Sequence, residues 1–220
     1  MKKENRKSGK AGICLLGAFL LWTAAVRLVD VQAIGPQGTS VGFAALNRFV
    51  HGLTGVHMGL YTVTDWLGLV PIGVVLGFGI LGLAQWLRRK HLGKVDRSIL
   101  VLGGFYLATL AAYVLFEVLV INYRPVLIDG RLEASYPSST TMLVLCVMPT
   151  AMLQLRGRIR NRRCRAGVCG ALAVFTGFMV VGRLLSGVHW VTDILGGGLL
   201  SAGLVLLYHR FSAPGACSGR

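Results

Sequence analysis

Acidic residues are scarce in this chain. Only 8 of its 220 residues are Asp or Glu, against 23 Lys or Arg, and charged residues of both signs make up 14% of the sequence. A soluble domain of this size carries roughly a quarter charged residues. The deficit argues against a water-soluble fold, and the basic excess has to be explained by where it lies.

Cysteine pairs with the spacing of metal ligands are also absent. The five cysteines lie at positions 14, 146, 164, 169 and 217, and no two have the spacing of a metal-ligand pair. All fall within apolar runs or in basic segments that we assign to the cytoplasm, where thiols stay reduced. We therefore assign the cysteines no role and expect no disulfide. No cluster of metal-binding residues is evident and no cofactor is expected, and we see no internal repeat or separate soluble domain.

Long apolar runs dominate what the sequence does contain. They alternate with short basic clusters, which is typical of a chain that crosses a bilayer repeatedly. The sequence predicts an all-α polytopic membrane helix bundle with six transmembrane helices, flanked by tails at residues 1–10 and 209–220. The predicted spans are residues 11–31, 67–87, 98–121, 138–155, 166–185 and 191–208.

The basic residues lie mostly on one side of this bundle. If the spans alternate, the two tails and the loops at 88–97 and 156–165 share a side with 18 basic and two acidic residues, whereas the opposite side has five basic and six acidic residues. Because positive residues mark the cytoplasmic side, we expect both termini in the cytoplasm of a cell-membrane protein. Topology and contact with anionic lipid explain the charge, so no nucleic-acid partner is expected.

Two segments allow alternative interpretations. The basic N-terminus, the first apolar run and Val31-Gln32-Ala33 have features of a cleaved secretion signal, but the run is long for a signal core and an uncleaved first span is preferred. At about residues 40–62, apolar side chains recur at helical spacing, which predicts an amphipathic helix on the outer surface; a structured loop is an equal alternative. His51 and His57 are interpreted as ordinary surface or packed residues.

Arg183, His189 and Asp193 form the most informative cluster. His189 and Asp193 are four residues apart at the start of the last span, so a helix places them on one face. A carboxylate beside an imidazole fixes its tautomer and stabilises the charge that appears when the other nitrogen attacks. Arg183 lies before them, across a turn at Gly187, and a guanidinium grips phosphate oxygens in a bidentate way. The alternative is an interfacial Arg–Asp pair beside a chance histidine.

Two further segments are predicted on the same outer side. Arg124-Pro125 ends the third span, where an arginine is common by itself but becomes a second phosphate clamp if it lies near Arg183. The fourth span opens at Pro137-Ser138-Ser139-Thr140. A helix start of this kind either binds an anion or is a plain serine cap.

Together these residues resemble the type 2 phosphatidic acid phosphatase family of integral membrane lipid phosphatases. The family carries K-x6-R-P, P-S-G-H and S-R-x5-H-x3-D, and this chain has corresponding residues in the same order within roughly residues 60–208. The resemblance implies that His189 attacks phosphorus to form a phosphohistidine, oriented by Asp193 and without a metal. It also implies a set of groups that hold the phosphoryl oxygens: Arg124, Arg183, Ser138 and Ser139.

Three positions depart from the family pattern. Glu117 stands where the first motif has lysine, and we expect it to pair with Arg124 or Arg183. Gly182 replaces the serine of the third motif, which removes one hydroxyl. Thr140 replaces the histidine that is the family's general acid, and such an acid is worth about 100- to 10,000-fold in rate. Either the substrate is a lipid diphosphate, whose leaving phosphate needs less protonation, or the protein is impaired.

Three functions are therefore considered. The favoured one is a phosphatase that removes phosphate, at the outer leaflet, from a lipid (di)phosphate such as a polyprenyl diphosphate or a phosphatidyl phosphate. The second is an impaired homologue that binds phospholipid phosphate without efficient turnover. A transporter is the least favoured, because no pair of spans shows broken-helix repeats. In each case the partners are a membrane lipid and the bilayer.

Overall fold

The computed structural model describes residues 2–212, which form a bundle of α-helices. Within these residues no β-strand forms, and only isolated bridges such as Tyr123 with Ala134 lie between helices. The predicted all-α class is confirmed, while Cys217 and Arg220 lie outside the described residues. The helices are α1 (Lys2–Leu28), α2 (Ala44–Thr54), α3 (Met58–Leu67), α4 (Leu69–Arg89), α5 (Arg97–Val118), α6 (Ser139–Arg158), α7 (Arg162–Leu185) and α8 (Val191–Ser212).

Each predicted span coincides with a helix whose ends differ by a few residues. The largest difference is at α1, which begins at Lys2, so the expected basic tail continues the first helix. Five helical segments of the described chain are long and apolar enough to cross a membrane. They are Arg6–Leu28, Met58–Arg89, Arg97–Val118, Arg162–Leu185 and Val191–Ser212.

Helix α6 is the predicted span that falls outside this set. It packs against α4, α5, α7 and α8, and its polar residues Thr150 and Gln154 are buried. Gln154 donates to the carbonyl of Ser98 at 3.0 Å and also to the hydroxyl of Tyr208. A helix enclosed by other helices needs little apolar surface for lipid, so α6 has low hydropathy at a central position. The number of six crossings stays a prediction.

The link between α5 and α6 is held firmly against α1. Tyr136 is 2% exposed and belongs to the main apolar cluster of the bundle. Its ring stacks on Phe19 with centroids 6.2 Å apart, and its hydroxyl lies 2.7 Å from that of Thr23. Aromatic pairs of this kind add about 0.5–1.5 kcal/mol beyond the burial of their area. The anchored link fixes the residues on either side of Tyr136.

The segment predicted as an amphipathic helix or a loop, about residues 40–62, contains α2 and the first half of α3, with the non-helical residues 55–57 between them. It packs on the turn between α7 and α8. The His57 amide donates to the carbonyl of Ser186 at 2.9 Å, and His51 Nε2 lies 3.1 Å from the carbonyl of Gly187. Gly187 has φ +69, and a Cβ there would lie 1.9 Å from the carbonyl oxygen of Gly55. This close approach requires glycine at 187 and brings α3 beside the end of α7.

Candidate active site

Three segments far apart in the sequence meet at one end of the bundle, as the motifs predicted. They are the α5–α6 link, the start of α6 and the turn between α7 and α8. A cavity of about 460 Å³ lies where they meet. Its lining includes Glu117, Arg124, Glu133, Ser139 and His189, so it combines an imidazole, a guanidinium and two carboxylates.

His189 presents a free nitrogen at this cavity. Its side chain is almost fully buried, and Nδ1 lies 3.2 Å from the carbonyl oxygen of Ser135. Because a carbonyl only accepts, Nδ1 carries the proton. Nε2 is buried and has no hydrogen-bond partner among residues 2–212. Its lone pair is therefore available to an electrophile.

The surroundings of His189 keep it neutral. Burial, followed by the positive charges of Arg124 and Arg183, lowers the pKa of His189 well below its ordinary value of 6.5, and the hydrogen bond to Ser135 only partly opposes this. A neutral imidazole at physiological pH is the form that can act as a nucleophile.

Asp193 connects His189 to its surroundings from the first turn of α8. Its Oδ2 lies 3.7 Å from His189 Nδ1 and accepts a hydrogen bond from the Trp190 amide at 2.9 Å. Its Oδ1 accepts from Asn122 Nδ2 at 3.4 Å. The predicted proximity of the carboxylate and the imidazole is present in the structure, but the nearer partner of Nδ1 is the main-chain carbonyl of Ser135.

Arg124 and Arg183 are both largely buried, and each has a carboxylate partner. Arg124 Nε lies 3.0 Å from Glu133 Oε2, and Arg183 Nη1 lies 3.7 Å from Asp65 Oδ1. Each guanidinium also keeps a buried nitrogen with no hydrogen-bond partner in the described part of the chain, Nη1 in Arg124 and Nε in Arg183. Arg124 lines the polar cavity, so its free N–H group is available to an anion there. Arg183 is not among the residues that line this cavity.

The expected ion pair of Glu117 is wrong. Within residues 2–212 its carboxylate forms no salt bridge with either arginine, because Glu133 and Asp65 occupy those positions. Glu117 is exposed and lines the same cavity as Arg124 and Glu133. The carboxylates do not gather into a metal site either: no group of three His, Cys, Asp or Glu side chains suited to a metal occurs in the described chain.

Three residues at the start of α6 have different surroundings. Ser138 is fully buried; its hydroxyl accepts from the Thr141 amide at 3.5 Å, and its own amide donates to the carbonyl of Asp193 at 3.1 Å. These contacts are those of a helix cap, so a phosphate-binding role for Ser138 remains a prediction. Ser139 lines the polar cavity, whereas Thr140 lines a second one.

The second cavity is apolar and adjoins the first. It has a volume of about 730 Å³ and lies between α4, α5 and α6. Its lining consists mostly of Leu, Ile, Val and Phe side chains, and Tyr113, Ser139 and Met142 line both cavities. A polar site directly beside an apolar cavity suits an amphiphile, with its charged group in one and its hydrocarbon in the other.

Comparison with known proteins bears on the family resemblance and on the fold. Residues 119–214, which include α6, α7 and α8, match the family model of the PAP2 superfamily. The chain is 27% identical over 198 residues to phosphatidylglycerophosphatase B of Bacillus subtilis (strain 168), which covers 86% of this chain and 88% of that protein. A crystal structure of a transmembrane PAP2 type phosphatidylglycerolphosphate phosphatase from Bacillus subtilis matches with a TM-score of 0.51 at 22% identity, over 90% of this chain and 93% of the other. The predicted resemblance and the transmembrane helical fold are confirmed.

Proposed function

We propose that this multi-pass membrane protein of the PAP2 superfamily is a lipid phosphatase that forms a phosphohistidine on His189. The substrate is a lipid (di)phosphate presented at the outer leaflet of the cell membrane. The observation that carries the proposal is the unpartnered Nε2 of a buried histidine, placed at a cavity that Arg124 also lines.

The chemistry follows from the hydrogen bonds of the site. Nε2 attacks phosphorus, and the N–P bond forms as the bond from phosphorus to the leaving oxygen breaks. The positive charge on the ring is stabilised through Nδ1, which faces the carbonyl of Ser135 and the carboxylate of Asp193. Free N–H groups of Arg124 and Arg183 stabilise the phosphoryl oxygens. Water then attacks phosphorus, the N–P bond breaks, and inorganic phosphate leaves with His189 restored.

The two adjoining cavities support a lipid as the substrate. Phosphate in the polar cavity places the leaving oxygen near Ser139, which lines both cavities. The hydrocarbon then enters the apolar cavity between α4 and α5, and its transfer is favourable by about 25 cal/mol per Å² of buried apolar surface. Thr140 lines this second cavity, so it lies on the leaving-group side of the scissile bond.

The chemistry of the leaving group defines two substrate classes. A threonine hydroxyl does not protonate a departing alkoxide at neutral pH, which favours a lipid diphosphate because its leaving phosphate is already a stable anion. The name of the Bacillus subtilis relative, phosphatidylglycerophosphatase B, supports a phosphatidyl phosphate. We propose the diphosphate class as the better substrate and the monophosphate class as the slower one.

The test is phosphate release by the purified protein from a panel of lipid monophosphates and diphosphates, with His189→Ala as the control. We expect release that depends on His189 and is faster for diphosphates. Release that persists in His189→Ala contradicts the proposed nucleophile. Tight binding of the same lipids with no release supports instead an impaired homologue, which the missing acid at Thr140 makes the second candidate.

The orientation of the site has its own test. The excess of basic residues on the loops at 88–97 and 156–165 supports an active site that faces outside. In a cysteine-free background, Asp129→Cys on the α5–α6 link is expected to react with an impermeant thiol reagent on intact cells. Arg160→Cys, between α6 and α7, is expected to react only after the membrane is opened. Equal labelling of the two variants from outside contradicts the six-span arrangement.

A further inference from the structure

Helix α3 contributes side chains to the site although it lies outside the residues that match the PAP2 superfamily. The family match begins at residue 119, whereas α3 spans Met58–Leu67. One face of α3 packs on the end of α7, where Arg183 lies. Three residues of this face contact the arginines of the site: Tyr61, Thr64 and Asp65.

Tyr61 is shared by the two phosphate clamps. The Cζ atom of Arg183 lies 4.9 Å from the centre of the Tyr61 ring, and that of Arg124 lies 5.9 Å from it. Two guanidiniums repel each other, and the negative face of an aromatic ring attracts both. The ring therefore stabilises a pair of like charges beside one anion site.

Thr64 occupies the space beside Gly182. A Cβ at position 182 would lie 2.8 Å from Thr64 Cγ2, so a serine there, as in the family motif, collides with α3. At the same time, Thr64 Oγ1 accepts a hydrogen bond from Arg183 Nη1 at 3.4 Å, while its own proton goes to the carbonyl of Leu60 at 2.9 Å. The hydroxyl of Thr64 on α3 thus lies beside position 182, where the family motif has a serine hydroxyl and this chain has none.

Asp65 completes the set of contacts. Its Oδ1 lies 3.7 Å from Arg183 Nη1, but its side chain is 57% exposed, whereas that of Arg183 is 1% exposed. Solvent screens a pair of this kind, so we assign most of the positioning to Tyr61 and Thr64.

We propose that Tyr61, Thr64 and Asp65 form an α3 brace that positions Arg183 and Arg124 for phosphate, and that Thr64 replaces the hydroxyl lost at Gly182. The brace rests on the proposed function, because it positions the groups that bind the phosphoryl oxygens. These three are positioning residues, since they act through the arginines.

The first test separates the ring of Tyr61 from its hydroxyl. Tyr61→Leu is expected to weaken the binding of inorganic phosphate about tenfold and to raise KM by about the same factor, with a smaller change in kcat. This factor corresponds to the loss of two cation–π contacts. Tyr61→Phe keeps the ring and is expected to stay within about twofold of the wild type. Equal losses in both variants, or a loss of folded protein with unchanged KM and phosphate binding, overturn the role of the ring.

The second test is a double-mutant cycle between Thr64 and Gly182. Gly182→Ser adds a clash and Thr64→Ala removes a hydroxyl, so each alone is expected to weaken phosphate binding several-fold. The double variant removes Thr64 Cγ2 and returns a hydroxyl from position 182, and it is expected to regain most of the loss. If the losses of phosphate binding in the two single variants simply add in the double variant, the two residues act independently. That result contradicts the proposal that Thr64 replaces the hydroxyl lost at Gly182.

Matched controls lie on the same two helices. Gly177→Ser on α7 places its Cβ where no atom of the described residues lies within 4 Å. Thr62→Ala on α3 alters an exposed threonine whose hydroxyl donates to the carbonyl of Met58. Neither is expected to change phosphate binding.

Calorimetric titration with inorganic phosphate measures binding without turnover. A failure of the α3 brace can therefore be distinguished from a failure of the proposed function. Wild-type protein that binds phosphate without hydrolysing lipids contradicts the function, and the variants still decide the brace. Wild-type protein that binds no phosphate overturns the brace.

Discussion

Replacing Asp193 with asparagine tests whether its carboxylate stabilises the histidine or only caps a helix. Asn keeps the shape of the side chain, and its amide oxygen can still accept from the Trp190 amide, which Asp193 Oδ2 does at 2.9 Å. The negative charge is lost, together with the long hydrogen bond that Oδ1 accepts from Asn122 Nδ2 at 3.4 Å. The fold of the turn should therefore survive, and the charge that develops on His189 loses its counterion.

The size of the effect follows from the distance. A full charge on the ring, 3.7 Å from Asp193 Oδ2, is stabilised by about 4.5 kcal/mol at an effective dielectric constant of about 20. With roughly half of the charge developed at the transition state, about 2 kcal/mol is lost, or roughly 30- to 50-fold in kcat. The carbonyl of Ser135 still holds Nδ1–H at 3.2 Å, so the tautomer is retained and KM should change little.

Phosphate release at saturating lipid phosphate measures this directly. Asp129→Asn, an exposed residue of the α5–α6 link, is the matched control and is expected to keep full activity. A loss in Asp193→Asn of less than about threefold refutes the electrostatic role and leaves Asp193 as a cap for α8. A loss far beyond about 1,000-fold, with intact folding, shows instead that the carboxylate, and not Ser135, fixes the tautomer.

Three further predictions concern the cavity and its acid–base groups. Thr140→His, on the leaving-group side, is expected to raise turnover of lipid monophosphates by about tenfold or more and to change diphosphate turnover less, because only the former needs a general acid. Glu117→Gln removes a negative charge from the phosphate cavity and is expected to lower KM about two- to fivefold at low salt, with less effect at high salt. Because the pKa of His189 is depressed, the nucleophile stays neutral as pH falls. In Asp193→Asn, where the neighbouring carboxylate no longer titrates, kcat/KM should therefore stay level from about pH 7.5 to 6, where an ordinary histidine loses about fourfold of its neutral form.

Each of these has a contradicting result. An unchanged rate in Thr140→His means that position 140 does not reach the leaving oxygen. A higher KM in Glu117→Gln means that Glu117 binds the substrate rather than repelling it. A fall in kcat/KM of Asp193→Asn centred near about pH 6.5 means that His189 titrates as an exposed imidazole.

The helices could be predicted from the sequence because apolar runs of about 20 residues have few alternative structures. Helix α6 is the exception. It was predicted as a span that opens at Pro137-Ser138, although its enclosed position lets it carry the buried polar residues Thr150 and Gln154. Its hydropathy alone does not distinguish it from a soluble helix.

The site was predictable where spacing along the chain determines geometry. The four-residue interval from His189 to Asp193 is such a case, and the structure gives 3.7 Å between them. The partners of the arginines were not predictable, because Asp65 and Glu133 lie on segments whose packing no local pattern encodes. The Ser135 carbonyl gave no signal either, since every residue has one.

The α3 brace was missed for a related reason. Tyr61 lies at the end of the segment predicted as a helix or a loop, about residues 40–62, and Thr64 and Asp65 lie just beyond it, so no pattern indicated what they contact. The replacement of serine by Gly182 was the one available signal, because a glycine at a motif position indicates a close approach by another segment. Here that segment is α3, since Thr64 Cγ2 would lie 2.8 Å from a Cβ at position 182.

The most direct test of the central claim is to trap the phosphoenzyme. Wild-type protein quenched during turnover of a lipid phosphate labelled in the phosphoryl group should carry phosphate that is labile to acid and stable to alkali, and peptide mapping should place it on His189. His189→Ala should carry none. Label on another residue, or turnover by His189→Ala at the wild-type rate, contradicts the account.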